Sequence, residues 1–205
     1  MKYSPTAEAI KAFMDIKETL RVLDEALKEE AKKIREEEKR RGIENVVKNV
    51  REGVRSRSRE TLPMMLNVGF IPTLSFIIAK ATIKYCTLAE SLIQAVKSST
   101  EKLKVERVID VLKKNEMLRE TSEGVKVFID DTQLSYAIYA YAIIKYLDEH
   151  LKLVPEGSGG SSLCDRTIQY LDALMEGIKS QVAFKLLRPY LEQFKRLCEA
   201  EFTVE

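Results

Sequence analysis

The chain has 205 residues, of which 45% are hydrophobic and 32% charged, with only 8 glycines and 5 prolines. That length supports one sizeable core or two small ones, and the apolar fraction excludes a disordered chain. The scarcity of turn residues argues against a fold of many short strands. The formal net charge of +2 hides an asymmetry: residues 28–59 carry 12 Lys/Arg against 7 Asp/Glu, whereas residues 130–205 carry 8 against 12.

Ser4-Pro5 is a favourable helix start, a serine N-cap with proline at the first helical position. Ile10, Phe13, Ile16, Leu20, Leu23, Leu27, Ala31 and Ile34 recur at three- and four-residue steps, which predicts one long amphipathic helix ending near Gly42. Its second half, KEEAKKIREEEKRRG, is almost all charge and reads as a solvated end laced with i,i+4 pairs such as Glu29–Lys33 and Glu36–Arg40.

A second helix is predicted from Ile43 to Leu66, with Gly69 as its stop. Pro63 should kink or break it, and Gly53 should weaken its interior. On a helix of about 3.6 residues per turn, Lys48, Arg51, Arg55 and Arg59 share one narrow arc. Val47, Val50 and Val54 share another, so one side can dock on a core while the other shows a row of positive charge. Such a separation suggests a polyanion partner. Arg57 points away from the row. Glu52 and Glu60 can pair with part of the row but cannot neutralise it.

Pro72 suits the start of a third helix, Thr73 to about Lys97, whose apolar first half marks it as the central core element. Ser98-Ser99-Thr100 breaks the pattern before a fourth helix, Glu101 to Arg119. Within residues 120–131, Val125, Val127 and Ile129 alternate as in a short strand, though nothing obvious pairs with it. Asp130-Asp131 reads as the cap of a fifth helix, Thr132 to Lys152, that carries Tyr136, Tyr139, Tyr141 and Tyr146. These tyrosines fit core or interface packing better than base stacking. Residues 154–162, VPEGSGGSS, form a flexible loop, and Ser162 with Asp165 resembles a capping box. A last helix, Leu163 to about Phe202, is expected to break or bend near Pro189 and to bury Ile168, Leu171, Leu174, Ile178, Val182, Leu186 and Leu187. The whole is an all-α compact bundle of about six helices in a single domain 1–205, with residues 163–205 as a C-terminal helical extension.

The chemistry of catalysis is missing. No GxSxG, P-loop, HExxH or paired CxxC is present. The one histidine, His150, reads as a surface or cap residue, and Asp130-Asp131 as N-caps rather than metal ligands. No catalytic, cofactor or metal site is therefore expected, and the chain is read as not an enzyme. Cys86, Cys164 and Cys198 are widely spaced and odd in number, as in a reducing compartment. With no signal peptide and no spanning segment expected, since the stretch from Met64 to Ala79 is too interrupted, the expected location is cytoplasmic. Asn and Gln number four and five beside abundant Glu and Lys, a thermophile-like bias. Without zipper heptads, zinc-finger spacing or an RNP motif, the basic row suits sequence-independent phosphate contact.

The string RSRETLPMMLNVGFIPTLSF, Arg57 to Phe76, is similar to the small subunit of type III-B (Cmr) CRISPR effector complexes. That family carries a basic helix, Leu-Pro, apolar residues, Gly-Leu and a Thr/Ala-Leu-x-Phe helix start. Here Leu62-Pro63, Gly69-Phe70 and Thr73-Leu74-Ser75-Phe76 stand in those places, with Phe70 where leucine is usual. The Tyr-rich stretch Tyr136–Leu147 also resembles the family's second half, and the type III-A small subunit is a near relative. The resemblance implies an all-helical protein without chemistry of its own, whose copies stack beside the backbone subunits that hold guide RNA and target RNA. By position, Lys48, Arg51, Arg55 and Arg59 would touch phosphates, with Arg57 a weaker candidate. Lys80 and Lys84, one turn apart on the next helix, would extend the surface. The partners implied are other effector subunits, further copies of the chain, and the two RNAs, with no membrane and no small-molecule substrate. The residues alone also fit a helical protein-interaction adaptor whose basic face binds an acidic protein.

Overall fold

A computed structural model describes residues 4–34, 37–121, 124–152, 167–175 and 178–202. The architecture is an all-α bundle with one small hairpin. Among the described residues the elements are α1 (Pro5–Ala31), α2 (Glu37–Asn67), α3 (Phe70–Ala81), α4 (Ile83–Ser98), a 3-10 turn at Glu101–Leu103, α5 (Lys104–Lys114), β1 (Leu118–Thr121), β2 (Gly124–Val127), α6 (Asp131–Leu151), α7 (Thr167–Met175) and α8 (Lys179–Glu201). Among the described residues no helix is long and apolar enough to cross a membrane. The Gly/Ser-rich stretch, the Ser162–Asp165 pair and Cys164 lie outside the described residues.

The central helix is α6, not the expected third helix. Its buried residues run almost unbroken from Leu134 to Ile144 and resume at Tyr146 and Leu147, so it is enclosed on nearly every side. Asp130 caps it as predicted, its carboxylate accepting from the Gln133 amide at 2.9 Å. The helices α1, α2, α3, α4 and α8 all pack on it. Tyr136, Tyr139, Tyr141 and Tyr146 are buried, which places them in packing roles rather than on an open stacking surface.

Several of the expected boundaries shift. The long N-terminal helix ends at Ala31, and Gly42 falls inside α2. The apolar period runs on through the turn because Ile34 is itself buried. The Ile16–Leu27 face and the Val47–Val54 face must meet, which a continuous helix cannot allow. The third helix divides at Thr82, a β-branched residue at φ 55° whose hydroxyl donates to Gln133 Oε1 at 3.1 Å. Here α3 begins at Phe70, with Pro72 at its third position, where a missing N–H costs nothing. The fourth helix stops at Lys114, and its expected tail becomes β1, the partner that β2 lacked in the sequence reading. Finally, the last helix is two helices, and Pro189 lies within α8. Pro63 likewise lies within α2, on its exposed side.

The break between α7 and α8 also changes which side is buried. Leu174 and Leu187 are buried and Leu171 and Leu186 half-buried, but Ile178 and Val182 are exposed, as is Ile10 of α1. The Ile168 side chain lies outside the described residues. The buried side of α8 is Ala183, Leu187, Tyr190, Leu191, Phe194 and Cys198. An aromatic cluster ties α8 to α6 and α1: Tyr190 stacks on Tyr146 at 4.2 Å and on Phe194 at 5.9 Å, and Phe13 meets Phe194 at 6.1 Å and Phe202 at 5.3 Å. Two buried hydroxyls are satisfied between α6 and α8, Tyr146 donating to the Leu186 carbonyl at 2.9 Å and Tyr190 to that of Ala142 at 3.2 Å, whereas the buried Tyr139 hydroxyl has no hydrogen-bond partner among the described residues. Burial pushes the Cys198 thiol up to about 12, with the neighbouring Ser58 side chain opposing it.

Gly53 explains how closely α2 approaches α6. A Cβ there would lie 2.4 Å from Ser135 Oγ and 2.5 Å from Ser135 Cβ, and Ser135 is fully buried. At Gly42, by contrast, an added Cβ meets nothing within 4 Å. We expect Gly53→Ala to lower stability by about 1–2 kcal/mol, overpacking outweighing the better helix propensity. Gly42→Ala should raise it by up to about 1 kcal/mol. Urea denaturation of the two variants checks this contrast.

An ionic network joins α1 to the start of α5. Glu18 Oε1 accepts from Arg21 at 2.8 Å and from Lys104 at 2.7 Å, and Glu101 binds Arg21 at 2.5 Å and Lys104 at 2.6 Å. The hydrogen bonds from Arg21 and Lys104 hold the Glu18 carboxyl down to about 2 from its ordinary 4.5. Its contribution is therefore complete above about pH 4.5 and is lost as the pH falls through about 2. Solvent screening keeps that contribution to about 1 kcal/mol. Glu18→Gln should lower the melting temperature at pH 7 and leave a flatter acid limb between those pH values, read by thermal melts across pH.

Candidate nucleic-acid interface

The valine face of α2 decides what its other residues do. Val47, Val50 and Val54 are buried with Ser58, Thr61 and Met65. Ser58 and Thr61 return their hydroxyls to the helix's own carbonyls, at 2.7 Å to Arg55 and 2.6 Å to Arg57, so burying them leaves no donor stranded. With α6 against Gly53, the arc of Lys48, Arg51, Arg55 and Arg59 lies roughly half a turn away, on the side turned from α6.

These four cations differ in how they are held. Lys48 is exposed, and Arg51 and Arg55 are half-buried. None of the three forms an ion pair within 4 Å with any described residue, and the Arg55 Nε is shielded from solvent without a hydrogen-bond partner. Arg59 is neutralised by Glu199 of α8 at 2.9 Å. Glu60 does not quench the row: it accepts from Ser56 at 2.7 Å and reaches Arg57 at 4.0 Å. Arg51 and Arg55 therefore keep their stems against protein and their charge uncompensated.

Arg57 is placed elsewhere, as its position on the helix predicts. Its guanidinium lies 4.0 Å from the Tyr136 ring centroid on α6, and its side chain is 19% exposed. Tyr136 in turn meets Phe76 of α3 edge-on at 6.1 Å, and Lys80 stands 5.7 Å over Phe76. The chain from Arg57 to Lys80 stitches α2, α6 and α3 together through cation–π and aromatic contacts. Lys80 and Lys84 are both exposed but lie on different helices, because Thr82 separates α3 from α4. Lys80 groups with Arg57, on the α6 side of α2.

Sequence reasoning missed a second set of cations. Register pairs Arg119 of β1 directly with Lys126 of β2, and both are exposed. The alternation of Val125 and Val127 was a usable signal for β2, but the partner strand was hidden in the expected helix tail.

The only histidine is half-buried rather than superficial, packed 4.6 Å from Tyr146. Together, Glu8, Glu149 and His150 bring three potential metal-ligand atoms within 4.8 Å of one another. Lys145 stands 3.8 Å from Glu149 and already supplies positive charge there. No protein-family profile, characterised protein or solved structure matches the chain.

Truncation should separate these roles. Arg57→Ala is expected to cost about 1–2 kcal/mol through lost stacking and stem packing, whereas Lys48→Ala should stay within about 0.5 kcal/mol of the parent. Chemical denaturation of both variants measures the difference.

Proposed function

We propose that the chain is a non-catalytic, RNA-contacting structural subunit, and specifically a small subunit of a type III CRISPR ribonucleoprotein effector complex. The observation that carries the RNA contact is the row Lys48, Arg51 and Arg55, whose charges no described residue neutralises. Half-buried arginine stems fix the spacing of those charges before any ligand arrives, which reduces the ordering cost of binding. The sequence carries no zipper heptads, zinc-finger spacing or RNP motif, which supports a contact with phosphates that is independent of sequence. The effector assignment rests on the Leu62-Pro63 to Phe76 resemblance. In that reading copies stack along the guide–target duplex in antiviral defence, while other subunits perform the chemistry.

The isolated protein is expected to bind single-stranded or duplex RNA weakly, with little sequence preference. Each phosphate contact should add roughly 0.7 to 0.9 to the slope of log affinity against log salt. Arg51→Glu combined with Arg55→Glu should remove about two contacts and most of the binding. Fluorescence anisotropy over a salt series measures both quantities, and unchanged binding by the double variant would sink the proposed face. Co-purification of CRISPR RNA and backbone subunits from the source cell tests the assembly.

A further inference from the structure

The hairpin β1–β2 is held tightly for so small an element. Leu118 and Val125 are buried beneath it, Val127 is half-buried, and Met117 is fully buried at its entry. Alternation then turns Arg119, Lys126 and Phe128 to the opposite, solvent side. Arg119 and Lys126 are direct cross-strand partners, an arrangement that costs stability because like charges stand face to face. Neither has an acidic partner within 4 Å among the described residues. Among the described acids beside them, Glu120 is held by Lys113 at 2.9 Å.

Phe128 adds the second observation. Its backbone is fixed on both sides, its amide donating to the Met117 carbonyl at 2.9 Å and its carbonyl accepting from the Tyr85 hydroxyl at 3.3 Å. The same Tyr85 hydroxyl accepts from the Asp130 amide at 2.7 Å. Yet the ring is 51% exposed, with the Arg119 guanidinium 5.8 Å from its centroid. A rigidly mounted, exposed aromatic ring beside two cations that no described acid pairs is the combination that single-stranded nucleic acid uses, bases stacking on rings or guanidinium planes while cations track the backbone.

We infer that this hairpin is a second RNA contact, with Arg119 and Lys126 on phosphates and Phe128 stacking one unpaired base. It deepens the RNA reading and depends on it. The site is separate from the α2 row but stands at the same end of the bundle as Lys48, since Asn49 donates to Asp131 at 2.6 Å, three residues beyond Phe128. The charge of the exposed face selects a polyanion, and the ring selects one with unpaired bases over a duplex.

The test uses the full chain and a fluorescein-labelled single-stranded oligouridylate, its abasic counterpart, and an RNA duplex of equal length. Arg119→Gln with Lys126→Gln should weaken binding to all three ligands and lower the salt slope by roughly 1.4 on the single strands and roughly 1.8 on the duplex. Phe128→Ala should weaken the single strand by roughly 5- to 100-fold and leave the abasic strand and duplex unchanged. Lys126→Gln alone relieves the like-charge pair, so its melting temperature should equal or exceed the parent's while its slope falls. That separates loss of contact from loss of fold. Hairpin variants with parental affinity and slope, alongside an Arg51→Glu/Arg55→Glu variant that has lost binding, would overturn the second contact only. If the parent protein itself fails to bind, both readings fall.

Discussion

The contact between Gly53 and Ser135 sets the geometry on which the rest depends. Two helices meet there with no side chain between them on one side and only a serine on the other. Such proximity fixes the rotation of α2 about its own axis. Once Gly53 faces α6, the valines turn into the seam with α1 and α8, Arg57 reaches Tyr136, and the row from Lys48 to Arg55 is left on the outside. The position of the basic face is thus a by-product of core packing, and no surface residue needs to specify it.

The same economy appears in α6. A helix buried almost all round is ordinarily built from aliphatics, but this one carries four tyrosines. Tyr146 reaches a carbonyl of α8 with its hydroxyl, and the α8 residue Tyr190 reaches one of α6 in return. The exchange makes the antiparallel α6–α8 pairing specific, because sliding one helix past the other would strand both hydroxyls in an apolar setting.

Much of this was legible in the residues. Apolar residues at three- and four-residue steps marked the helical class and the inward faces of α1 and α2, and the residue type at Asp130 marked the cap of α6. The split between the row and Arg57 followed from helical geometry alone. What escaped was decided by tertiary contact. Ile34 continued the period of α1 through a chain reversal, so periodicity could not mark the turn. Thr82 adopts a left-handed conformation with none of the usual glycine or asparagine to announce it. Leu118 and Arg119 read as a helix tail in isolation, and the strand they open is fixed only by its pairing with Gly124–Val127. The neutralisation of Arg59 by Glu199 joins residues 140 positions apart and could not be seen from local spacing.

The network of Glu18, Arg21, Glu101 and Lys104 has a thermal consequence. Hydration of charged groups becomes less favourable as temperature rises, so a multi-member ion network loses less on heating than isolated hydrogen bonds do. The tether from α1 to α5 should therefore keep the hairpin that follows α5 docked at temperatures where peripheral segments begin to open. Native-state amide exchange along β1 and β2, followed against temperature, would register this as an opening free energy that declines more slowly than that of the helix ends.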